Sequence, residues 1–598
     1  MRDQSDSEGQ APNAFKFIGN MARLASRGPR LLQALARRRS GASQSGNRDP
    51  LNINDSFRAL TRNMLTDPGY LLNAQAALWR DYRGLMRYAG RRFLGETPEP
   101  RAIPAKDDRR FADPAWENSG FFDLMKQAYL LTANWMVETA RHVDGLDDQD
   151  ARKVEFYTRQ IMDAVAPTNF APSNPEVLRA CIETNGENLV RGFDNLLADL
   201  KRGDGSLRIR MVDEDAFEIG VNIATAPGRV VYQNELMQLI QYTPTTERVF
   251  KRPLLIIPPW INKFYILDLR EKNSFIRWAV AEGHTVFVVS WVNPDASLAH
   301  KSFEDYMLQG ALAALDAIEQ ATGEARINVI GYCLGGTLLA ATLAHMAAKK
   351  DQRIAAATFF ASMIDFTEPG ELGIFIDEKQ LGSLETRMNE RGFLEGGEMA
   401  TTFNMMRAND LIWAFVIHNY LLGKAPAPFD LLYWNGDSTR MTATMHSFYL
   451  RKMYLENKLI EPGGITLAGT PIDLSQVNLP KFILATHDDH IAPWQSTYAG
   501  VHAYGGPVKF CLGASGHIAG VINPPASGKY SYWTNSRNPK SPQAWLDGAT
   551  EHSGSWWPEW SKWIARHGGG KVPARVPGDG ALAAIEDAPG SYTKVKFG

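Results

Sequence analysis

The stretch that decides the fold is Gly331-Tyr332-Cys333-Leu334-Gly335-Gly336-Thr337, which lies between an apolar run at residues 327–330 and a helix-forming run at residues 338–341. A β-branched run, a cysteine flanked by glycines and a helix-forming run match the strand-turn-helix arrangement of a nucleophile elbow. Glycines suit this turn because its central residue has a strained backbone and the strand and helix approach closely. We therefore predict that Cys333 projects from a sheet as a nucleophile. The competing interpretation is a small buried hydrophobe, which is what a free cysteine usually is.

The composition narrows the class of protein. With 598 residues, 44% of them hydrophobic, the chain can bury a large core, and its length predicts more than one domain. The formal net charge of −2 gives no general attraction for nucleic acid, so we expect no nucleic-acid partner. The three cysteines, Cys181, Cys333 and Cys511, allow no disulfide framework and lack the spacing of a metal site. We expect no metal and a cytoplasmic location.

Neither a membrane anchor nor a secretory signal is predicted. No apolar run approaches the roughly 18 residues that are needed to cross a bilayer. The first ten residues include Asp3, Asp6 and Glu8 ahead of any apolar stretch, which is not the pattern of a secretory signal.

The first third of the chain is predicted to hold a tail and a helical domain. Residues 1–50 carry nine basic and four acidic side chains and include a polar tract at residues 40–47, so we predict a flexible basic tail. Apolar and basic residues alternate before that tract and could lie on an anionic or apolar surface, although Gly28-Pro29 is expected to interrupt any helix. Residues 51–205 show helical spacing and predict an α-helical domain, broken by Pro167, Pro172 and Pro175.

Residues 206–598 are predicted to form an α/β domain. Buried strands are expected at residues 253–257, 285–289, 327–330, 354–360, 481–485 and 508–510, and helices at residues 275–281, 303–320 and 334–348. Alternating strands and helices imply a mostly parallel sheet with right-handed crossovers. A long insertion rich in aromatic residues and methionine, at about residues 362–479, is interpreted as a cap over the nucleophile, the alternative being an ordinary helical subdomain.

An acid and a histidine follow the nucleophile in the chain order of α/β hydrolases. Asp489 comes after the strand at residues 481–485, and His517 comes after the strand at residues 508–510. Both therefore lie at the carboxyl edge of the sheet, where ligand chemistry occurs in open α/β folds. Asp488 and His490 are the rival candidates. We predict an α/β-hydrolase fold whose catalytic residues are Cys333, Asp489 and His517.

The oxyanion hole is predicted to use backbone amides from two turns. The Leu334 amide, directly after the nucleophile, is the first donor. The second is expected after the strand at residues 253–257, and because Pro258 and Pro259 carry no N–H, it must come from Trp260 or Ile261.

Five blocks of sequence together resemble the polyhydroxyalkanoate synthase family. They occur in the same order as in that family: Pro258-Pro259-Trp260-Ile261-Asn262-Lys263-Phe264-Tyr265-Ile266-Leu267-Asp268-Leu269, residues 289–295, residues 331–337, Asp489-His490-Ile491-Ala492-Pro493-Trp494 and residues 513–525. The similarity runs from about residue 50 to the C-terminus. The family often has a smaller residue where Trp260 stands, so a narrower entry is expected here.

The resemblance implies an activity and a set of partners. Length and the GYCLGGT form of the elbow resemble class I, the single-subunit type. This implies polymerisation of short-chain (R)-3-hydroxyacyl-coenzyme A, with Cys333 acylated, His517 as its activator, and Asp489 either orienting His517 or activating the substrate hydroxyl. It also implies a homodimer that acts on a growing polyester chain at granules in the cytoplasm. No cofactor is expected, because coenzyme A is part of the substrate and is released.

Two rival functions remain at the level of sequence. A hydrolase or thioesterase with the same Cys-His-Asp residues would differ only in using water as the acceptor. A non-catalytic granule protein would have the fold without the chemistry.

Overall fold

The computed structural model describes residues 13–41, 53–106 and 108–596. The chain divides into two compact units. The first comprises the chain up to Asp213 together with Thr401–Ala427, and the second comprises Glu214–Ala400 and Pro428–Gly598. The first unit therefore extends past the predicted boundary at residue 205.

The first unit is helical, as predicted. Its N-terminal part contains α1 (Ala14–Gly41), α2 (Ile53–Thr66), α3 (Pro68–Phe93), α4 (Ala115–Asn118), α5 (Gly120–Arg141), α6 (Asp148–Ala164), α7 (Pro175–Glu183) and α8 (Glu187–Arg202). The predicted breaks at the prolines are confirmed, since α6 ends before Pro167 and α7 begins at Pro175.

The prediction of a flexible tail is wrong for α1. This helix continues through Gly28-Pro29, although an internal proline removes a hydrogen bond and costs about 3 kcal/mol. The helix also makes contacts with the region around α8: Arg27 pairs with Asp194 at 2.7 Å, and the Asn20 amide donates to the Asn185 carbonyl at 3.0 Å. Most of the tract at residues 40–47, predicted to be a tether, lies outside the described residues.

The predicted cap at residues 362–479 does not form one unit. Its middle part, Thr401–Ala427, packs on α8 in the first unit. The Asn188 amide donates to the Leu421 carbonyl at 2.8 Å, and the Tyr420 hydroxyl donates to buried Asp199 at 2.8 Å. A Cβ on Gly192 would lie 2.5 Å from the Tyr420 carbonyl carbon, so the two backbones touch where α8 has a glycine.

The second unit is built on an eleven-stranded sheet. Its strands are β1 (Gly228–Gln233), β2 (Met237–Tyr242), β3 (Leu254–Ile257), β4 (Val286–Trp291), β5 (Ile327–Tyr332), β6 (Ile354–Phe360), β7 (Lys481–Thr486), β8 (Val508–Gly513), β9 (Ser531–Thr534), β10 (Thr550–Ser553) and β11 (Glu586–Asp587), in the spatial order 10-9-8-7-6-5-3-4-2-1-11. Strands β3 to β8 are parallel, and the flanking strands are antiparallel. The predicted parallel sheet is therefore confirmed at its centre.

Helices cover the sheet and form the insertion. They are α9 (Phe275–Ala281), α10 (Phe303–Asp305), α11 (Ala313–Thr322), α12 (Leu334–Ala348), α13 (Glu378–Arg391), α14 (Gly396–Met406), α15 (Asp430–Gly436), α16 (Ala443–Tyr449), α17 (Trp494–Ala499), α18 (Pro542–Asp547), α19 (Trp557–Ala565) and α20 (Ser591–Lys594). The predicted helix at residues 303–320 contains a π-helical segment, Tyr306–Leu312, between α10 and α11. Within the described ranges, every helix is too short or too polar to cross a membrane.

Candidate functional site

The elbow forms as the sequence predicts. Cys333 lies between β5 and α12 with φ 51° and ψ −120°, a conformation that non-glycine residues adopt only under strain. Its N–H donates to the Phe360 carbonyl at 2.9 Å, and its carbonyl accepts from the Gly336 N–H at 2.9 Å. The backbone on both sides is therefore bonded, which holds Cys333 in the strained turn.

The glycines of the motif allow this turn to pack. A Cβ on Gly335 would lie 2.8 Å from the Pro258 oxygen, with the Ile257 oxygen closer still. A Cβ on Gly336 would lie 2.5 Å from Cβ of Ser362. Helix α12 therefore begins in direct backbone contact with the end of β3, which brings Cys333 and the loop after β3 together.

His517 and Asp489 form a buried pair at the carboxyl edge of the sheet. The His517 Nδ1 lies 2.7 Å from Asp489 Oδ2, and the two side chains are 8% and 0% exposed. Asp489 Oδ1 also accepts from the Ile491 and Ala492 amides, each at 2.9 Å, while Thr486 donates to Oδ2. Because a carboxylate only accepts, Nδ1 carries the proton, which leaves His517 Nε2 available for another group.

The charge of Cys333 and a hydrogen bond to it act on His517 of this pair. Burial alone would lower the pKa of His517, but the charges of Asp489 and Cys333, and hydrogen bonds to both, hold it well above its ordinary value. Burial would raise the pKa of Asp489, yet the charge and hydrogen bond of His517 and two backbone amides keep it below the ordinary value. The structure thus brings the three predicted side chains together in the order Cys333, His517, Asp489.

The two rival candidates, Asp488 and His490, do not occupy the position of the buried acid–histidine pair. The Asp488 side chain is 65% exposed and lies 2.8 Å from Nδ1 of its neighbour His487. The imidazole that contacts the Asp489 carboxylate at 2.7 Å is that of His517. The geometry therefore favours Asp489 over Asp488 and His517 over His490.

The amides predicted as oxyanion donors are unbonded. In the described part of the chain, the backbone N–H groups of Leu334, Trp260 and Ile261 donate to no other group, although all three residues are buried. Buried amides are almost always paired, so these unbonded N–H groups can donate hydrogen bonds to a substrate oxygen. The Trp260 ring, by contrast, is buried against Trp291 and Tyr449 and does not stand open at an entry.

Sequence reasoning missed several aromatic residues of the site. Tyr332, inside the elbow motif, stacks on His517 with ring centroids 5.8 Å apart, and its hydroxyl donates to the His517 carbonyl at 3.3 Å. The ring centroids of Tyr449 and Tyr454 lie 5.6 Å apart. Burial raises the pKa of both hydroxyls, and nearby charges, including that of Cys333, raise it further. Only the aromatic richness of the insertion indicated the last two.

Two tryptophans anchor the loop that carries His517. Trp556 Nε1 donates to the Gly520 carbonyl at 2.8 Å, and Trp557 Nε1 donates to the Val521 carbonyl at 2.9 Å. Both indoles are fully buried. The tryptophan-rich C-terminus therefore holds the histidine loop in place.

Comparisons with known proteins identify the family of the chain. Residues 107–279 match the family model described as the N-terminus of poly-beta-hydroxybutyrate polymerase (PhaC), and residues 253–511 match the alpha/beta hydrolase fold. The chain is 48% identical to the poly(3-hydroxyalkanoate) polymerase subunit PhaC of Rhizobium meliloti, over 96% of this chain and 94% of that protein. The chain belongs to the poly(3-hydroxyalkanoate) polymerase family.

Other members of the polymerase family are similarly close. The Methylorubrum extorquens poly(3-hydroxyalkanoate) polymerase is 49% identical over 91% of this chain and 90% of its own, and the Cupriavidus necator subunit PhaC is 44% identical over 82% and 83%. A solved monoacylglycerol lipase from Paleococcus ferrophilus matches 55% of this chain and 99% of its own at 11% identity, with a TM-score of 0.31. The predicted family, fold class and assignment as an acyltransferase are confirmed.

Proposed function

We propose that this polymerase joins short-chain (R)-3-hydroxyacyl units, delivered as coenzyme A thioesters, through a thioester on Cys333. The observation that carries the proposal is the coupling of Cys333 to His517, whose other ring nitrogen is held by Asp489 at 2.7 Å. A thiol next to an imidazole can ionise and attack a carbonyl, and family membership supplies the acyl chemistry.

The first step moves the acyl group from one sulfur to another. His517 Nε2 takes the Cys333 thiol proton, and the thiolate attacks the thioester carbonyl of the substrate. The resulting tetrahedral oxyanion collapses and expels the coenzyme A thiolate, which takes the proton back from His517. One thioester is exchanged for another, so the acyl group stays activated for the next transfer.

The second step extends the chain. The 3-hydroxyl of another hydroxyacyl unit attacks the Cys333 thioester, and because an alcohol has a high pKa, a base must take its proton. We assign that role to His517 Nε2, with Asp489 orienting the ring through Nδ1. The Cys333 sulfur leaves, regains the proton from His517, and an ester bond has formed.

Both tetrahedral intermediates need donors for the oxyanion. We assign this role to the unbonded Leu334 and Ile261 amides, on the two turns that the elbow glycines bring into contact. Preorganised donors of this kind typically contribute a factor of about 10²–10³ each in rate.

The remaining parts of the proposal concern substrate size and setting. The ring centroids of Phe366 and Tyr454 lie 4.9 Å apart, and both rings pack next to Tyr449, on the side of Cys333. These apolar rings favour a short acyl chain and a pocket with little water. No resident cofactor takes part, since coenzyme A arrives and leaves with the substrate. We further propose, from family membership, a homodimer that works at polymer granules in the cytoplasm.

Purified protein incubated with (R)-3-hydroxybutyryl-coenzyme A tests the proposal. We expect release of coenzyme A together with an insoluble polyester, and slower release from (R)-3-hydroxyoctanoyl-coenzyme A. Free 3-hydroxybutyrate without polymer would instead identify a hydrolase. No release from either substrate would indicate a protein without this catalysis.

Cysteine variants test the nucleophile. Cys333→Ala should abolish coenzyme A release, because the variant lacks the thiol that is proposed to carry the acyl chain. Cys181→Ala is the matched control, since this cysteine lies on α7 in the other unit and contacts Asn188. We expect normal turnover for the control, and an acylated Cys333 peptide in the wild type by mass spectrometry. Turnover by Cys333→Ala would refute the assignment.

A further inference from the structure

A short part of the insertion binds back onto the loop that follows β3. We call residues 434–440 the clamp segment and residues 258–263 the donor loop. Trp434 Nε1 donates to the Lys263 carbonyl at 2.7 Å, the Thr439 N–H donates to the Ile261 carbonyl at 3.3 Å, and the Thr439 hydroxyl donates to the Trp260 carbonyl at 2.5 Å. Three carbonyls of the donor loop are therefore turned toward the clamp segment.

The bond from Thr439 also sets the direction of an amide. In a trans peptide the C=O and the following N–H point in opposite directions, so fixing the Trp260 carbonyl toward Thr439 turns the Ile261 N–H away from it. This N–H donates to no other group among the described residues. The start of the donor loop lies against the elbow, where a Cβ on Gly335 would be 2.8 Å from the Pro258 oxygen.

An ion pair ties the same two segments together. Lys263 Nζ lies 2.6 Å from Asp437 Oδ1, and the side chains are 3% and 9% exposed. The other carboxylate oxygen of Asp437 accepts from the Tyr265 hydroxyl at 2.8 Å. Removing one partner of a buried pair leaves an uncompensated charge, so loss of either partner should weaken the contact between the two segments.

We propose that the clamp segment positions the Ile261 amide for the oxyanion, with Thr439 and Asp437 as its positioning residues. The inference rests on the function proposed above and extends it: the second donor is held by a part of the insertion and not by the sheet alone. The oxyanion hole is complete only when the clamp segment is seated. Displacement of that segment would leave the nucleophile intact and remove one donor.

Thr439→Val tests the inference because it keeps the shape of the side chain and removes only the hydroxyl. On (R)-3-hydroxybutyryl-coenzyme A we expect kcat to fall by roughly 10- to 10²-fold, less than when a donor is lost outright. KM should be unchanged, since the interaction is made in the transition state. Thr439→Ser keeps the hydroxyl and should restore kcat.

Thr342→Val is the matched control. Thr342 is also fully buried, and its hydroxyl donates to a carbonyl, that of Leu338, at 2.7 Å within α12. Both valine variants lose one buried hydrogen bond, so a general loss of packing would lower kcat equally in both. Equal kcat values for the two variants would therefore overturn the inference.

Alkylation of Cys333 by iodoacetamide distinguishes loss of the oxyanion donor from loss of reactivity of the Cys333 thiol. This reaction needs the thiolate but no oxyanion hole, so its rate should be the same in Thr439→Val and the wild type. If alkylation slows in parallel with kcat, the elbow itself has moved and the inference is wrong. Should Thr439→Val fail to fold, Asp437→Asn is measured in the same way with the same two expectations. A wild type that releases no coenzyme A refutes the proposed function instead.

Discussion

Replacing Gly335 by alanine tests the close approach on which the whole site depends. The added Cβ would lie 2.8 Å from the Pro258 oxygen and nearer still to the Ile257 oxygen, whereas an ordinary contact begins at 3.4 Å. The end of β3 and the start of α12 must therefore separate by at least about 0.6 Å. Both are backbone, so no flexible side chain can absorb the shift.

The expected result follows from that displacement. Overpacking of this kind costs about 1–3 kcal/mol of the free energy of unfolding, and moving the elbow against the donor loop should lower kcat by about 10- to 10²-fold. Coenzyme A release measures the rate, and thermal unfolding measures the stability. Gly382→Ala in α13 is the matched control, because its Cβ meets nothing within 4 Å. There alanine should raise helix stability by roughly 1 kcal/mol and leave kcat unchanged. Wild-type kcat in Gly335→Ala would refute the argument.

Three further predictions concern the acid, the histidine and the first unit. Asp489→Asn should lower kcat by about 10³- to 10⁴-fold, whereas exposed Asp488→Asn should leave coenzyme A release near the wild-type rate; equal losses would contradict the assignment. The pKa of His517 is raised in the folded protein, so protonation of His517 stabilises the fold. The free energy of unfolding of the wild type should therefore exceed that of His517→Gln most below pH 6.5, and this difference should decline as the pH rises through the pKa that His517 has in the folded protein. Melting temperature against pH checks this, and an advantage that grows with pH would be inconsistent with it. Gly192→Ala should cost about 1–3 kcal/mol by pressing α8 against the inserted segment, whereas Gly90→Ala on α3, which meets open space, should not destabilise the protein in thermal unfolding.

Most of the α/β framework was predictable because its signals are local. The largely apolar run at residues 354–360 became β6 with the predicted ends, and the helix after the elbow became α12 over the predicted residues 334–348. Chain order and the carboxyl ends of parallel strands also placed Asp489 and His517 near Cys333. These inferences need only periodicity, turn residues and topology.

Other features depended on contacts between distant parts of the chain. Gly28-Pro29 is a local signal for a helix break, but bonds between α1 and residues more than 160 positions away override it. The division of the insertion between two units has the same origin, since Tyr420 bonds to Asp199 and not to its sequence neighbours. No local pattern carries that information.

The sequence by itself determined the class of fold and predicted the nucleophile and the residue types around it, because these follow from short runs of residues and their order. Only the tertiary structure decided which acid pairs with His517, which amides stay unbonded, and that Thr439 and Asp437 hold the donor loop. The physical reason is that hydrogen bonds and ion pairs depend on distances of a few ångströms between groups far apart in sequence, and only the folded chain sets those distances.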